Sequence, residues 1–478
     1  SNARRGSRRT PADNGTGEEG VEPMLDKARA LGIDPIRKLI VRLATPSIVS
    51  LGVLAFYNVV DAIYVGRGVG TLAMAGIGVM FPLFLVVIGI GQFIGAGSAS
   101  LLSRALGKGD TRLAERTFGN AVTLGIVASI LVAVLGRLYT VPLLKFAGAT
   151  PDVLPYADAF AKVILTGSFA FIFPSIFMSI LRAQGDASRA TVPMIVGGVL
   201  NIFLEPIFIF ALHMGTAGAA WATVVSSGIG VAYYVYNVLQ KKTSVRFSPR
   251  NLVLGGRTTW AIVSVGVPSF VGIFASSAAT VVINRALGAY GGGVALAIYS
   301  VLNRIVTLAR MPVFGVADGS QPIYAYNFGA GNYPRVIATL KHALVLAAGL
   351  SGAAWALLLF LPRPFLSMFS SDPTMISEGT VALRIMVVVI PLLALQPIVG
   401  SFYQAMGRAG RAFGLSLLRD IVLVIPAVLV LSAHFSTKGI WIAFPVADFV
   451  SALIVTPMLF LEVRKLRRMT AASAPAGD

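Results

Sequence analysis

LRAQGDASRA, residues 181–190, returns 222 positions later as YQAMGRAGRA, residues 403–412. The same offset lays Pro46-Ser47 on Pro268-Ser269, Gly97-Ser98 on Gly319-Ser320, and LGKGD (106–110) on FGAGN (328–332) with both glycines kept. Matches at one offset, spread across a whole half, mark an internal duplication. Further on the register slips, and Trp221 meets Trp441 only at an offset of 220.

What is duplicated follows from composition. The chain has 478 residues, of which 56% are hydrophobic and 12% charged, with a mean hydropathy of +0.80. Soluble domains carry about 25% charged residues, so the composition is that of a membrane protein. A bilayer-spanning helix needs about 20 apolar residues. That rule places twelve spans near 38–65, 72–103, 117–140, 156–181, 190–212, 217–240, 259–288, 294–327, 336–361, 378–403, 411–433 and 438–463. The expected fold is an all-α membrane protein with two six-helix lobes. The expected parts are a basic tail 1–37, a first lobe 38–240, a linker 241–258, a second lobe 259–463 and a tail 464–478. Six is even, so both halves insert the same way up. They are then related by a pseudo-two-fold axis along the membrane normal, with the substrate path between them.

The net charge of +19 admits nucleic-acid binding, but the basic residues sit in short turns between apolar spans. That is the pattern of loops beside anionic lipid, and no nucleic-acid partner is expected. The loops after even-numbered spans are the rich ones, with Arg104, Lys108, Arg112 and Arg116 in the first, Arg182 and Arg189 in the second, and Arg408 and Arg411 in the last. The alternate loops hold only Arg67, Arg137, Lys145, Arg363 and Lys438. Lys/Arg excess marks the cytoplasmic side, so both termini are expected inside a plasma (inner) membrane. Cysteine is absent, which excludes disulfides and thiolate metal sites. No nucleophile with a base and orienter, no metal-ligand spacing and no nucleotide loop is present, so an enzyme and a resident cofactor are not expected. Nothing in the sequence sets an oligomeric state.

The repeat also serves as an internal control. At its offset Asp61 aligns with Ile283, Asn201 with Leu423 and Glu205 with Ala427. A fold that needed these polar groups would keep them in both halves. At 1.5 Å per residue, Asp61, Glu205 and Thr223 all fall about 7–11 Å below the outer surface. Asn201 and Glu205 are four apart and share a helix face, as do Tyr57 and Asp61. Pro206 frees the carbonyl of Ile202 beside them. These side chains are expected to form one polar pocket, in which Asp61 and Glu205 share and exchange a proton. The same oxygens are hard ligands suited to Na⁺. Each ion neutralises a buried charge and so shifts the favoured helix packing.

YNVVDAIYVGR (57–67), GAGSASLLSRALGKGD (95–110), NIFLEPIF (201–208), GTAGAAWAT (215–223) and GSQPIYAYNFGAGNY (319–333), together with Pro46, form a recognisable set. Over roughly residues 35–465 the chain resembles the multidrug and toxic compound extrusion (MATE) family, within it the DinF-like branch. The resemblance implies a V-shaped transporter driven by a cation, exporting amphipathic and often cationic small molecules. It implies that Asp61, Asn201, Glu205 and Thr223 form the first-lobe cation site with Tyr57 close by, and that span one bends at Pro46 when the site is protonated. The family usually has Asp where this chain has Glu205, a change that disturbs Na⁺ geometry more than proton binding. Another branch couples through acids in spans seven and ten. Here span seven reads SSAATVVINRAL (276–287), and Glu378 lies only at the mouth of span ten.

In the second half Arg304 and Asp448 fall at similar depth and are expected to pair. Asp318 is expected to line a central cavity, and Arg419-Asp420 to sit at the inner interface. The leading reading is a proton-coupled exporter of hydrophobic cations, with Na⁺ coupling second. A flippase for a lipid-linked precursor is the alternative, and it requires arginines such as Arg285, Arg304 and Arg310 in the central cavity.

Overall fold

Apolar runs that cannot leave backbone groups bare in lipid must close their hydrogen bonds within the segment, so they become helices. The computed structural model describes residues 29–69, 71–147, 149, 151–240, 245, 248–252, 254–368 and 373–473. The side chains at 54–60, 62–63, 66–67, 71–72, 74–75, 293–294, 297, 393 and 472–473 are outside that description. Residues 1–28 of the tail read at 1–37, part of the linker, and the Tyr57 side chain therefore lie outside the described residues.

In the first half, α1 is Ile36–Gly68, α2 Thr71–Gly107 and α3 Thr111–Phe146. Helix α4 comes in two pieces, Leu154–Thr166 and Phe169–Ala183, bent by 46°. Helix α5 is Ala187–Pro206, continued by a π turn Ile207–Ala211, and α6 is Gly215–Leu239. In the second half a helical run Gly256–Gly329 folds back at Gly292 (φ 62°), giving α7 (256–291) and α8 (293–329). Helix α9 is Tyr333–Phe360. Helix α10 joins Pro373–Val387 to Ile390–Ala405 with a bend of 44°. A last run begins with Ala409–Leu417, passes a π segment Leu418–Val424, and reverses at Ser436 (φ 50°). This makes α11 (409–435) and α12 (437–473).

Among the described residues, seven stretches are long and apolar enough to cross a membrane, and the two bent pairs α4 and α10 make nine. One of them, Ala409–Ala471, is 63 residues long and holds both α11 and α12. Helices α1 and α8, with charged residues along their length, complete the twelve. The chain is thus an all-α integral membrane protein of two six-helix lobes. Span four, read as unbroken, is interrupted at Gly167-Ser168.

The duplication is visible in turn geometry. Gly109 and Gly331 have φ 76° and 74°, and Gly185 and Gly407 have φ 82° and 72°. L side chains rarely adopt that region, which is why the glycines recur at the repeat offset. The caps agree: the Leu113 N–H donates to Asp110 (2.9 Å) and the Arg335 N–H to Asn332 (3.3 Å).

The loops α2–α3, α4–α5, α8–α9 and α10–α11 share one face of the bundle with the described chain ends, here called the terminal face. Near it the lobes touch backbone to backbone. A methyl added to Gly97 would collide with the Ile262 carbonyl next to Gly266, and one on Gly319 with Leu43 and Ala44. Deeper towards that face Gly107 meets Tyr326 and Gly329 meets Arg104. Each pair of contacts maps onto its mate through the repeat. Farther up α2, Gly89 still meets Phe270, but Gly76 packs on Ala157 of its own lobe. Likewise Gly68 of α1 packs on Ile209 and Phe210. The helices thus return to their own lobes, and the cleft between the lobes opens towards the far face. Three large apolar clusters fill the bundle: one in the first half around Phe118, Ile172 and Tyr234, one joining Leu39 and Leu43 of α1 to Val316 and Tyr324 of α8, and one in the far part of the second half around Ile283, Tyr299 and Trp441.

Candidate functional site

A cavity of about 310 Å³ lies in the first lobe and reaches the lobe interface. Asn201 of α5 and Thr223 of α6 line its upper part; Ser47, Arg182 and Asp318 line its floor. Asn201 Nδ2 donates to Thr223 Oγ1 at 3.3 Å, and the Thr223 hydroxyl donates in turn to the Ala219 carbonyl at 2.9 Å. The second bond closes a turn of α6 upon itself, so the hydroxyl is oriented before any ligand arrives.

One turn beyond Asn201, Glu205 is fully buried. It closes α5 just before Pro206, where the helix loosens into its π turn. The carboxyls of Asp61 and Glu205 lie close enough to interact side chain to side chain. They do so without a close hydrogen bond: both Glu205 oxygens and Asn201 Oδ1 are buried and have no partner among the described residues. A buried acceptor without a donor costs roughly 1–3 kcal/mol. Three such atoms side by side, next to a second carboxyl, suit a small cation or a proton. Two pairs result: Asn201 bonds to Thr223, and Asp61 interacts with Glu205 one turn along α5 from Asn201. Asp61 in α1, Glu205 in α5 and Thr223 in α6 lie six to eight residues from the far ends of their helices, or about 9–12 Å. Helix α1 runs unbroken through Pro46.

The repeat positions in the second half look different. Ile283 is a core residue of the far apolar cluster, and Leu423 and Ala427 pack against it. No carboxylate replaces Asp61 or Glu205 there.

The second half instead carries an ion-pair group at another place. Arg419 Nε donates to Asp448 Oδ1 at 2.7 Å and its Nη1 to Asp420 Oδ1 at 2.7 Å. Ser276 donates to the other Asp420 oxygen. This corrects two expectations. Asp448 pairs with Arg419, while Arg304 is exposed on α8. Arg419-Asp420 lie within the bundle beside a cavity of about 290 Å³, not at the inner interface. Depth alone misled: it does not say which way a side chain turns, and the π segment Leu418–Val424 rotates the face that α11 presents. Arg310 lines that cavity with its guanidinium over the Phe314 ring at 5.6 Å. Arg285, like Arg304, is exposed on the helix surface.

Two further groups escaped the sequence reading. Arg182, assigned to a basic loop, belongs to the last turn of α4 and turns inward, where Nη1 donates to Asp318 at 2.7 Å. Asp318 lines this first-lobe cavity from α8. The available signal was the repeat itself, which sets Arg182 opposite Gln404. At the terminal face, buried Glu462 is held by Arg408 (2.7 Å) and Arg411.

Comparisons bear on the whole chain. The chain is 23% identical over 440 residues to the multidrug export protein MepA of Staphylococcus haemolyticus, covering 92% of this chain and 96% of that protein. A MATE solved in complex with MaL6 superposes with a TM-score of 0.88 at 25% identity, over 92% of this chain and 99% of the other. The outward-facing conformation of a multidrug resistance MATE family transporter of the MOP superfamily gives 0.87 at 24% identity, over 95% and 100%. The MatE family model matches twice, at residues 46–207 and 268–430, and the two matches begin at the repeat offset. With each half recognised separately and the pair folded as two lobes around a common cleft, the chain belongs to the MatE family of membrane transporters.

Proposed function

We propose that the protein is a proton-coupled antiporter that exports amphipathic, often cationic small molecules across the plasma membrane. The terminal face is then cytoplasmic, in keeping with its basic loops, and the cleft faces outward. The single observation that carries the reading is the Asp61–Glu205 carboxyl pair in the first lobe, where the repeat has Ile283 and Ala427. Two carboxylates side by side in a low-dielectric bundle repel, and a proton held between them relieves the repulsion. Cargo in the first-lobe cavity and a proton on Asp61 then exclude one another. Protonation from outside releases the cargo, α1 bends near Pro46, and the carrier resets. Multidrug export by the MepA relatives supports the cargo class. Among the described residues that line the second cavity, Arg310 is the arginine without an ion-pair partner and Arg419 is paired, which gives less support to a flippase for a phosphate-bearing lipid precursor.

The test is cargo flux in proteoliposomes with pH and Na⁺ gradients imposed separately. Export driven by the pH gradient and lost in Asp61→Asn is expected. Export driven by Na⁺ alone would assign the orphaned oxygens of Asn201 and Glu205 to that ion instead. Export by Asp61→Asn at the parent rate would remove the mechanism.

A further inference from the structure

An alternating carrier must part its lobes at whichever face is closed. The contacts that hold the terminal face shut are mostly weak individually. Four are backbone crossings at glycine, which carry no side-chain interlock. Ser100 donates to the carbonyls of Gln404 (2.6 Å) and Ala405 (3.1 Å), and Ser103 to that of Pro322 (3.0 Å). Neutral bonds of this kind exchange for bonds to water with little net change.

A cation also crosses nearer the rim, where the Arg335 guanidinium donates to the carbonyls of Leu31 (3.3 Å) and Asp34, but those acceptors are neutral; the Arg182–Asp318 pair joins opposite charges. It is an ion pair that joins the two lobes: Arg182 ends α4, and Asp318 lies in α8. The Arg182 side chain is only 13% exposed, while Asp318 is 46% exposed and open to the cavity. Charge-assisted bonds are short and about twice as strong as neutral ones. The repeat sharpens the point. Gln404 occupies the position of Arg182, and its side chain bonds to Ser269 (2.8 Å), Val265 (3.2 Å) and Gln321 (3.0 Å), all within the second lobe. One member of the symmetric pair thus reaches across the interface and the other does not. Arg182 also donates to the Ser47 hydroxyl at 3.5 Å, and Ser47 follows Pro46 in α1. Movement of α1 at Pro46 shifts one of the two groups that hold the Arg182 guanidinium.

We propose that Arg182 and Asp318 are the latch of the terminal-face gate, and that Ser47 links this latch to α1. Loss of the latch shifts the conformational equilibrium towards a terminal-face-open form.

The chain has no cysteine, so Ser227→Cys, in the cavity lining, gives one reporter thiol in the full-length protein. A membrane-impermeant maleimide is applied to reconstituted vesicles from one face or the other. Asp318→Asn is expected to raise labelling from the terminal face by about fivefold and to lower labelling from the far face, as a population shift requires. Charge reversal in Arg182→Asp/Asp318→Arg should bring both rates back towards the parent. Gln404→Ala serves as the symmetric control and should leave sidedness unchanged. Unchanged rates in Asp318→Asn overturn the proposal. So does a parallel rise at both faces, which would mean general loosening, or an equal shift in Gln404→Ala. The assay uses neither cargo nor ion gradient, so its failure is distinct from failure of the export reading.

Discussion

The two lobes share an ancestor and a fold, yet they fill corresponding places with opposite chemistry. In the first lobe the buried oxygens of Asn201 and Glu205 have no partner among the described residues, and Asp61 interacts with Glu205. In the second lobe Ile283 is only 3% exposed, in an apolar cluster that Leu423 and Ala427 complete. The second lobe shows that the fold is content with hydrocarbon at these positions. The carboxyls of the first lobe are therefore a departure that folding does not require. Natural chains break local rules at functional sites, and here the unbroken version stands in the same molecule.

That comparison can be broken most sharply at Asp61. Asp61→Asn is expected to reduce proton-driven export to the level of empty vesicles while leaving the unfolding temperature within a few degrees of the parent. Loss of folding along with transport would show that the carboxyl is structural. Next in size, Ile283→Asp places a carboxyl where the second lobe has none. It should cost on the order of 3 kcal/mol, read as a lower unfolding midpoint in detergent; a neutral effect would mean that either lobe tolerates the acid. Copying the second lobe into the first, with Asp61→Ile and Glu205→Ala together, should abolish coupling and leave the unfolding midpoint at or near the parent, since the removal of buried acceptors without donors offsets the cavity left at Glu205. A clear fall in stability would refute the claim that the pair is kept for function. The smallest effect is expected at Thr223. Thr223→Val removes a neutral bond to Asn201 worth about 1 kcal/mol, so transport should fall only a few-fold, and a complete loss would move Thr223 into the ion's immediate coordination.

Much of this was legible in the sequence for a specific reason. Apolar length gave the spans, and the offset between LRAQGDASRA and YQAMGRAGRA gave the lobes. Comparison at that offset singled out Asp61, Asn201 and Glu205. What stayed hidden concerns direction rather than position. A residue's place in a span fixes its depth, but each step turns the side chain by about 100°, so errors of one residue rotate it to another neighbour. Arg304 was paired with Asp448 on depth, and Arg419, one helix away on a π segment, holds that acid instead. Arg182 was counted as loop charge because it sits at a helix end. A long arginine stem can reach back from there into the bundle, and the residue type alone does not say which way it goes.

The glycine crossings of α2 with α7 and of α8 with α1 carry one more consequence. Smooth backbone laid on smooth backbone has no teeth to disengage, so two lobes meeting this way can roll past one another with little friction. The pace of such a machine is then governed by what must be unlocked or neutralised before it rolls, and not by the rolling itself.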